Sequence, residues 1–150
     1  MLPQVKRDES LQSLSRDHHH ALAVASWLTR AGRSDAEAAA NGFLEFWRED
    51  GARHFRVEEE QLLPDFARYG DPTDERVVRV LTDHVEIRRR AADLETAATA
   101  DAEQVNKLGE LLEAHVEHEE NVLFPMIEET LPADALSELA TRIEQAERSA

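Results

Sequence analysis

One short pattern occurs twice in the chain. His54-Phe-Arg-Val-Glu58-Glu59-Glu60-Gln61-Leu62-Leu63-Pro64 aligns without a gap on His115-Val-Glu-His-Glu119-Glu120-Asn121-Val122-Leu123-Phe124-Pro125. A histidine and a glutamate four apart on a helix lie one turn above each other on the same face. Each copy therefore offers one imidazole and one carboxylate to the same point. Two such pairs facing each other make a site for more than one metal ion. Two further histidines stand in matching settings, in Leu14-Ser-Arg-Asp17-His18 and Val80-Leu-Thr-Asp83-His84.

The ligand types narrow the metal. The chain has no cysteine, so thiolate sites and disulfides are excluded. Imidazole with carboxylate suits iron, manganese or zinc and is poor for copper(I). Glu58 and Glu119, on opposed helices, can each bridge two ions. His18 and His54 serve one ion, and His84 and His115 the other. Each ion keeps open positions for water, an oxo or hydroxo group, or a substrate. A single inward histidine is more often a hydrogen-bonded core residue. Four at matched phase, two of them inside a repeat, point to metal. Buried carboxylates among leucine and phenylalanine also call for cations. His118, three residues past His115, is a lesser ligand candidate. His19 and His20 fall off the apolar stripe and read as solvated. Glu59, Glu60 and Glu120 read as surface charges. Trp27, Phe43, Phe46, Trp47 and Phe55 read as core, with some of them able to wall the metal pocket.

The elements that must hold these residues follow from 3.6-residue periodicity, with no strand-like alternation. A first helix covers about Glu9 to Ala31, with Leu11, Leu14, Ala21, Leu22, Ala25 and Leu28 on its apolar face and Gly32 as its stop. Ser34 with Glu37 forms a capping-box signature for a second helix. That helix runs to about Leu63, with Gly51 as a weak point and Pro64 near its end. Asp71 as cap and Pro72 at the first position start a third, with Val77, Val80, Leu81, His84, Ile87, Ala91 and Leu94 as its stripe. Asp101 caps a fourth, whose stripe runs from Val105 through His115, Glu119 and Val122 to Met126. Pro132 starts a short fifth with Leu136, Leu139 and Ile143. The expected fold is all-α: an up-down-up-down antiparallel four-helix bundle with a short fifth C-terminal helix. Each of the first four helices puts one histidine on its buried face. Helices one and two echo helices three and four, so the site lies on or near a pseudo-two-fold axis.

Bulk properties set the outer limits. A chain of 150 residues suits one domain (core about 10–130, C-terminal helix about 132–148). A net charge of -15 argues against nucleic acid, whose binding needs lysine and arginine neutralisation, and against anionic membrane surfaces. No apolar run approaches the ~18 residues of a membrane span. Met1 to Ser10 is polar and lacks the apolar segment of a secretory signal, so a cytoplasmic location is expected. The fifth helix is the one surface suggested for a homodimer or protein partner.

At these residues the sequence resembles the hemerythrin-like family, the HHE cation-binding domain, over about residues 10 to 130. The matching pieces are Asp17-His18, His54-x3-Glu58-Glu59, Asp83-His84, and His115-x3-Glu119-Glu120 ending in Leu123-Phe124-Pro125. The resemblance implies a non-haem di-iron centre in a four-helix bundle, with His18, His54, Glu58, His84, His115 and Glu119 as metal ligands. Zinc or manganese are the lesser alternatives. It implies binding of dioxygen, nitric oxide or peroxide for sensing, storage or detoxification. The alternatives are a di-iron redox enzyme consuming peroxide or nitric oxide, and a structural or regulatory bundle with zinc or no metal. Oxygen-carrying members have a second histidine four residues past the position of His84, where this chain has Arg88. They also tend to use an aspartate five residues past the last histidine, where this chain has Glu119 four past His115. The resemblance is thus to the branch with fewer histidines, which implies a more open centre at the ion of His84 and His115 and disfavours stable oxygen carriage.

Overall fold

The structure, a computed structural model, describes residues 6–149, so residues 1–5 of the polar N-terminal segment lie outside the described residues. It is all-helical, with no strand among the described residues. A 3-10 turn, Glu9–Leu11, leads into α1, Gln12–Arg30. The second helix, α2, covers 36–66, α3 is Glu75–Thr96, α4 covers 102–130, and α5 is Ala133–Arg148. Among the described residues no helix is long and apolar enough to cross a membrane.

The caps explain where helices start. Asp101 accepts a hydrogen bond from the Gln104 amide at 2.8 Å, as its side chain predicts. The start of α3 differs from the sequence expectation. Asp71 and Pro72 form a preceding turn, in which the Asp71 carboxylate accepts from Thr73, and the cap is Asp74, accepting from the Arg76 amide. The Ser34 capping box does not form either. Asp35 is the cap residue of α2, without a side-chain cap bond, because its carboxylate turns back to accept from the Gly32 amide in a tight turn. The end of α1 is satisfied from outside: the Asn106 amide of α4 donates to the carbonyls of Leu28 and Ala31. Gly32 is not left-handed, so it is no Schellman stop.

Neither proline of the repeat ends its helix. Each stands just beyond a wide π turn, Glu58–Leu62 before Pro64 and Glu119–Leu123 before Pro125. The Leu63 amide reaches back five residues to the Glu58 carbonyl, and Phe124 reaches Glu119 in the same way. Proline has no amide hydrogen and its ring collides with the carbonyl four residues back in a regular α-helix. The wider turn gives the ring room, and the helices continue to Phe66 and Thr130. A third π turn, Trp47–Gly51, carries Gly51 through α2 without a break.

Two apolar clusters fill the interior. One holds Ala21 to Leu28 of α1, Phe43 to Phe55 of α2, Ile87 to Leu94 of α3 and Val105 to Val116 of α4. The other holds Leu11 and Leu14, Val57 to Phe66, Val77 and Val80, Leu123 to Ile127, and Leu136, Leu139 and Ile143 of α5. The helix α5 is fastened by these leucines and by an Arg142–Asp65 ion pair to α2. Close packing of α1 on α4 needs Gly109, where a Cβ would lie 2.8 Å from the Leu28 Cβ and from the Thr29 backbone nitrogen. Between the clusters lies a single layer of histidines and glutamates.

Candidate metal centre

Each ligand candidate sits where its helix passes from one apolar cluster to the other. His18 falls between Leu14 and Ala21, His84 between Val80 and Ile87, and the pairs His54/Glu58 and His115/Glu119 occupy the same level of α2 and α4. Glu58 and Glu119 open the two π turns, a distortion frequent at functional sites. All six residues are buried, and both glutamates are fully so.

Their atoms converge on two points. His18, His54, Glu58 and Glu119 bring ligand atoms within 4.8 Å of one another, and so do Glu58, His84, His115 and Glu119. The carboxylates split their oxygens between the groups. Glu58 places Oε2 3.2 Å from His54 Nε2 and Oε1 3.1 Å from His84 Nε2. Glu119 places Oε1 2.8 Å from His18 Nε2 and Oε2 3.2 Å from His115 Nε2.

Most of these close pairs are not hydrogen bonds. The Nε2 atoms of His54, His84 and His115, both oxygens of Glu58 and Oε2 of Glu119 are buried without a hydrogen-bond partner. The distances are short but the N–H directions miss the oxygens. Nitrogens and oxygens aim at a shared point and not at each other, which is the arrangement a cation satisfies. Native interiors rarely tolerate so many unpaired polar atoms together.

The opposite ring nitrogens are all occupied. His18 Nδ1 bonds Glu120 at 2.6 Å, His54 Nδ1 bonds Asp17 at 3.0 Å, His84 Nδ1 bonds Glu59 at 2.7 Å, and His115 Nδ1 bonds Asp83 at 3.0 Å. A carboxylate on Nδ1 fixes the tautomer with its hydrogen there and turns the Nε2 lone pair inward, as a metal ligand requires. The pattern obeys the sequence repeat. Asp17 matches Asp83, and Glu59 matches Glu120.

Charge accounting favours dications. The two central and four outer carboxylates face the guanidiniums of Arg7, on Glu120, and Arg88, on Glu59. With neutral imidazoles, these six carboxylates outnumber the guanidiniums beside them even when Arg79, 3.9 Å from Asp83, is included, so net negative charge remains for cations to offset. Without metal, protons do that work. Burial pushes the imidazoliums down, but the surrounding carboxylates outweigh it, so His84 is raised to about 10 and His115 to about 9. His18 is raised and His54 lies well above its ordinary value for the same reason. Burial opposes the charge of Glu119, yet His115, His18 and His54 hold it well below the usual carboxylate range.

The sequence agrees with this geometry. Residues 10–147 match the hemerythrin HHE cation-binding domain. The chain belongs to that family. No curated protein and no solved structure matches it. The hemerythrin-like match covers all four histidine-bearing helices and most of α5.

Several sequence expectations change on this hemerythrin-like scaffold. Glu59 and Glu120 are not surface charges; they orient His84 and His18, and Glu120 is buried. The doubled glutamate and the Asp-His dipeptides are the sequence signals that mark the four orienting carboxylates. Glu60 is exposed, as expected. His118 turns away from the centre, and its Nε2 donates to the Arg76 carbonyl at 3.0 Å. Trp27 is at the surface, lying over Gly42, and Leu81 and Val122 are exposed, so those three are not core. Phe43, Phe46 and Phe55 are buried and Trp47 partly so. Phe55 stacks on His84 with ring centroids 3.7 Å apart and 7° from parallel. Arg88 does not enter the centre; it lies over Trp47 and Phe55 and bonds Glu59. A void of about 20 Å³ adjoins His18, His54 and His115, walled mainly by Phe43, Phe46, Trp47 and Leu112.

Proposed function

We propose that this hemerythrin-like domain holds two iron ions, one at His18 and His54 and one at His84 and His115, with Glu58 and Glu119 shared between them. The reading takes the chain as one domain whose first four helices form an up-down-up-down antiparallel bundle, with α5 as an addition. The observation that carries it is the set of buried imidazole nitrogens and carboxylate oxygens that lack hydrogen-bond partners and aim at two common points. Bound iron would supply a change of oxidation state and an exchangeable position for a small ligand. The chain's residues hold the imidazoles in the right tautomer, keep water out with two apolar layers, and leave a small apolar void on one side.

That void limits the ligand to a small one such as dioxygen, nitric oxide or peroxide, because it has room for about one water-sized molecule between aromatic rings, the histidines, Asp17 and Asp50. Phe55 covers His84, so a ligand has its approach on the side of His18, His54 and His115. Sensing, storage or detoxification in a cytoplasmic setting is the role proposed. Elemental analysis of protein grown in iron-supplemented medium tests the reading. About two iron atoms per chain are expected, with an optical spectrum perturbed by nitric oxide. Reproducible metal content below one per chain sinks it, and stoichiometric zinc under the same conditions replaces it with the structural reading.

A further inference from the structure

Two assemblies of the same four residue types stand on opposite sides of the centre. In one, the Arg88 guanidinium bonds Glu59 at 3.1 Å and lies 5.8 Å from the Phe55 ring. Phe55 stacks on His84, and Glu59 holds His84 Nδ1. In the other, Arg7 bonds the Glu120 carbonyl at 2.8 Å, reaches its carboxylate at 3.5 Å, and lies 5.5 Å from the Phe124 ring. Phe124 stacks on His18 at 5.3 Å and 15°, and Glu120 holds His18 Nδ1 at 2.6 Å.

The repeat does not dictate this likeness. In the gapless alignment Phe55 matches Val116, and Phe124 matches Leu63. Arg7 lies before the first helix, whereas Arg88 lies inside α3. The same cap is thus built twice from unrelated positions. The two caps also differ in burial. The Arg88 side chain is 37% exposed, but that of Arg7 is 7% exposed. Arg7 has a second anchor, Glu128 Oε1 at 2.6 Å, and the amide of the next residue, Asp8, bonds Glu128 Oε2. Buried charge-assisted bonds are costly to break one at a time.

We infer that Arg7 is a positioning residue: it latches the segment before α1 over the His18 side of the centre and, through Glu120 and Phe124, makes the ion at His18 and His54 the slower of the two to leave. The ion at His84 and His115, capped by the half-exposed Arg88, is the more labile. This rests on the two-ion reading above. It extends that reading by giving the two positions unequal exchange and by assigning the cause to residues outside the ligand set.

Zinc-loaded protein provides the test, because zinc is diamagnetic and redox-silent. Release to an excess of chelator is followed in the wild type, Arg7→Met, Arg7→Lys and Arg88→Met. Two phases of equal amplitude are expected in the wild type. Arg7→Met should speed the slow phase by up to roughly 10-fold, the low end of the 10–100-fold typical when the orienting carboxylate itself is lost, and leave the fast phase alone. Arg7→Lys should recover part of the difference. Arg88→Met should act on the fast phase. Nitrogen-15 spectra of the same samples should show the His18 Nδ1–H signal losing its protection from exchange in Arg7→Met while that of His84 keeps it. Equal acceleration of both phases, or an unchanged His18 signal in Arg7→Met, overturns the inference. If Arg7→Met does not fold, Glu128→Gln removes the second anchor alone and is read by the same two measurements. Wild-type protein that binds fewer than two zinc ions defeats the two-ion reading itself, and this inference with it; wild type with two ions and an unresponsive Arg7→Met defeats only the inference.

Discussion

Glu59 accepts the Nδ1 hydrogen of His84 at 2.7 Å, although it stands one residue beyond Glu58, whose carboxylate faces the other ring nitrogen. Adjacent glutamates thus address opposite sides of one imidazole. Glu120 and Glu119 do the same to His18.

This relationship predicts a graded response to substitution. Glu58→Ala and Glu119→Ala should lose most of the bound metal, since each removes oxygens from both clusters. Glu59→Ala and Glu120→Ala should keep the sites but weaken affinity by about 10–100-fold. Glu60→Ala, on the exposed face, should behave as wild type. Competition with a calibrated chelator ranks the five variants. Equal affinity of Glu58→Ala and Glu60→Ala would show that the wrong helix face has been assigned.

Protons and metal compete for the same nitrogens. The imidazoles of His84 and His115, at about 10 and about 9, lie above the ordinary value of about 6.5. In metal-free protein their stabilising contribution is therefore whole below about pH 6.5 and drains away as pH rises through about 9 to 10. Glu119, held low, acts with the opposite sign: its contribution is present above the ordinary carboxylate value and is lost as pH falls through the depressed one. Metal-free protein should melt highest at about pH 5–6.5 and progressively lower toward pH 10. Metal-loaded protein should lack the alkaline decline and melt more than about 5 °C higher near neutrality. Uptake near pH 7 should release about 2 protons at the ion of His84 and His115, whose imidazoles are both protonated there without metal. Parallel melting profiles with and without metal would remove the basis for this coupling.

Gly109 carries a prediction about packing alone. Its substitution by alanine would put a methyl 2.8 Å from a backbone nitrogen of α1, and backbone yields less readily than a side-chain tip. Gly109→Ala should destabilise by about 1–3 kcal/mol and lower the melting temperature by several degrees, with metal stoichiometry kept. Denaturant titration measures it, and an unchanged midpoint would mean that α1 and α4 can slide apart freely.

The six ligand candidates were legible because helical period and repeat agree at those positions. His54 and Glu58 are four apart, and so are His115 and Glu119. The helical class and Asp101 as a cap followed from equally local signals. The orienting carboxylates were hidden for a definite reason. Glu59 lies about 100° round the helix from Glu58, which on one helix looks like a turn toward water. Its partner stands on α3, and no period within α2 encodes a neighbour from another helix. The prolines misled in a similar way. Pro64 reads as a stop by rules for α-helices, but the preceding five-residue turn had already changed the bonding register. Arg7 gave no signal at all, since its contacts with Glu120 and Glu128 span more than a hundred residues.

The wiring of the histidines bears on how such a chain could be divided. His54 and His115 are each oriented by an aspartate from their own half, Asp17 and Asp83. His18 and His84 are oriented across the middle, by Glu120 and Glu59. Neither half can aim both of its imidazoles by itself. Each hairpin therefore completes the other's set, and a fragment cut between α2 and α3 would leave His18 and His84 without the carboxylates that turn their rings.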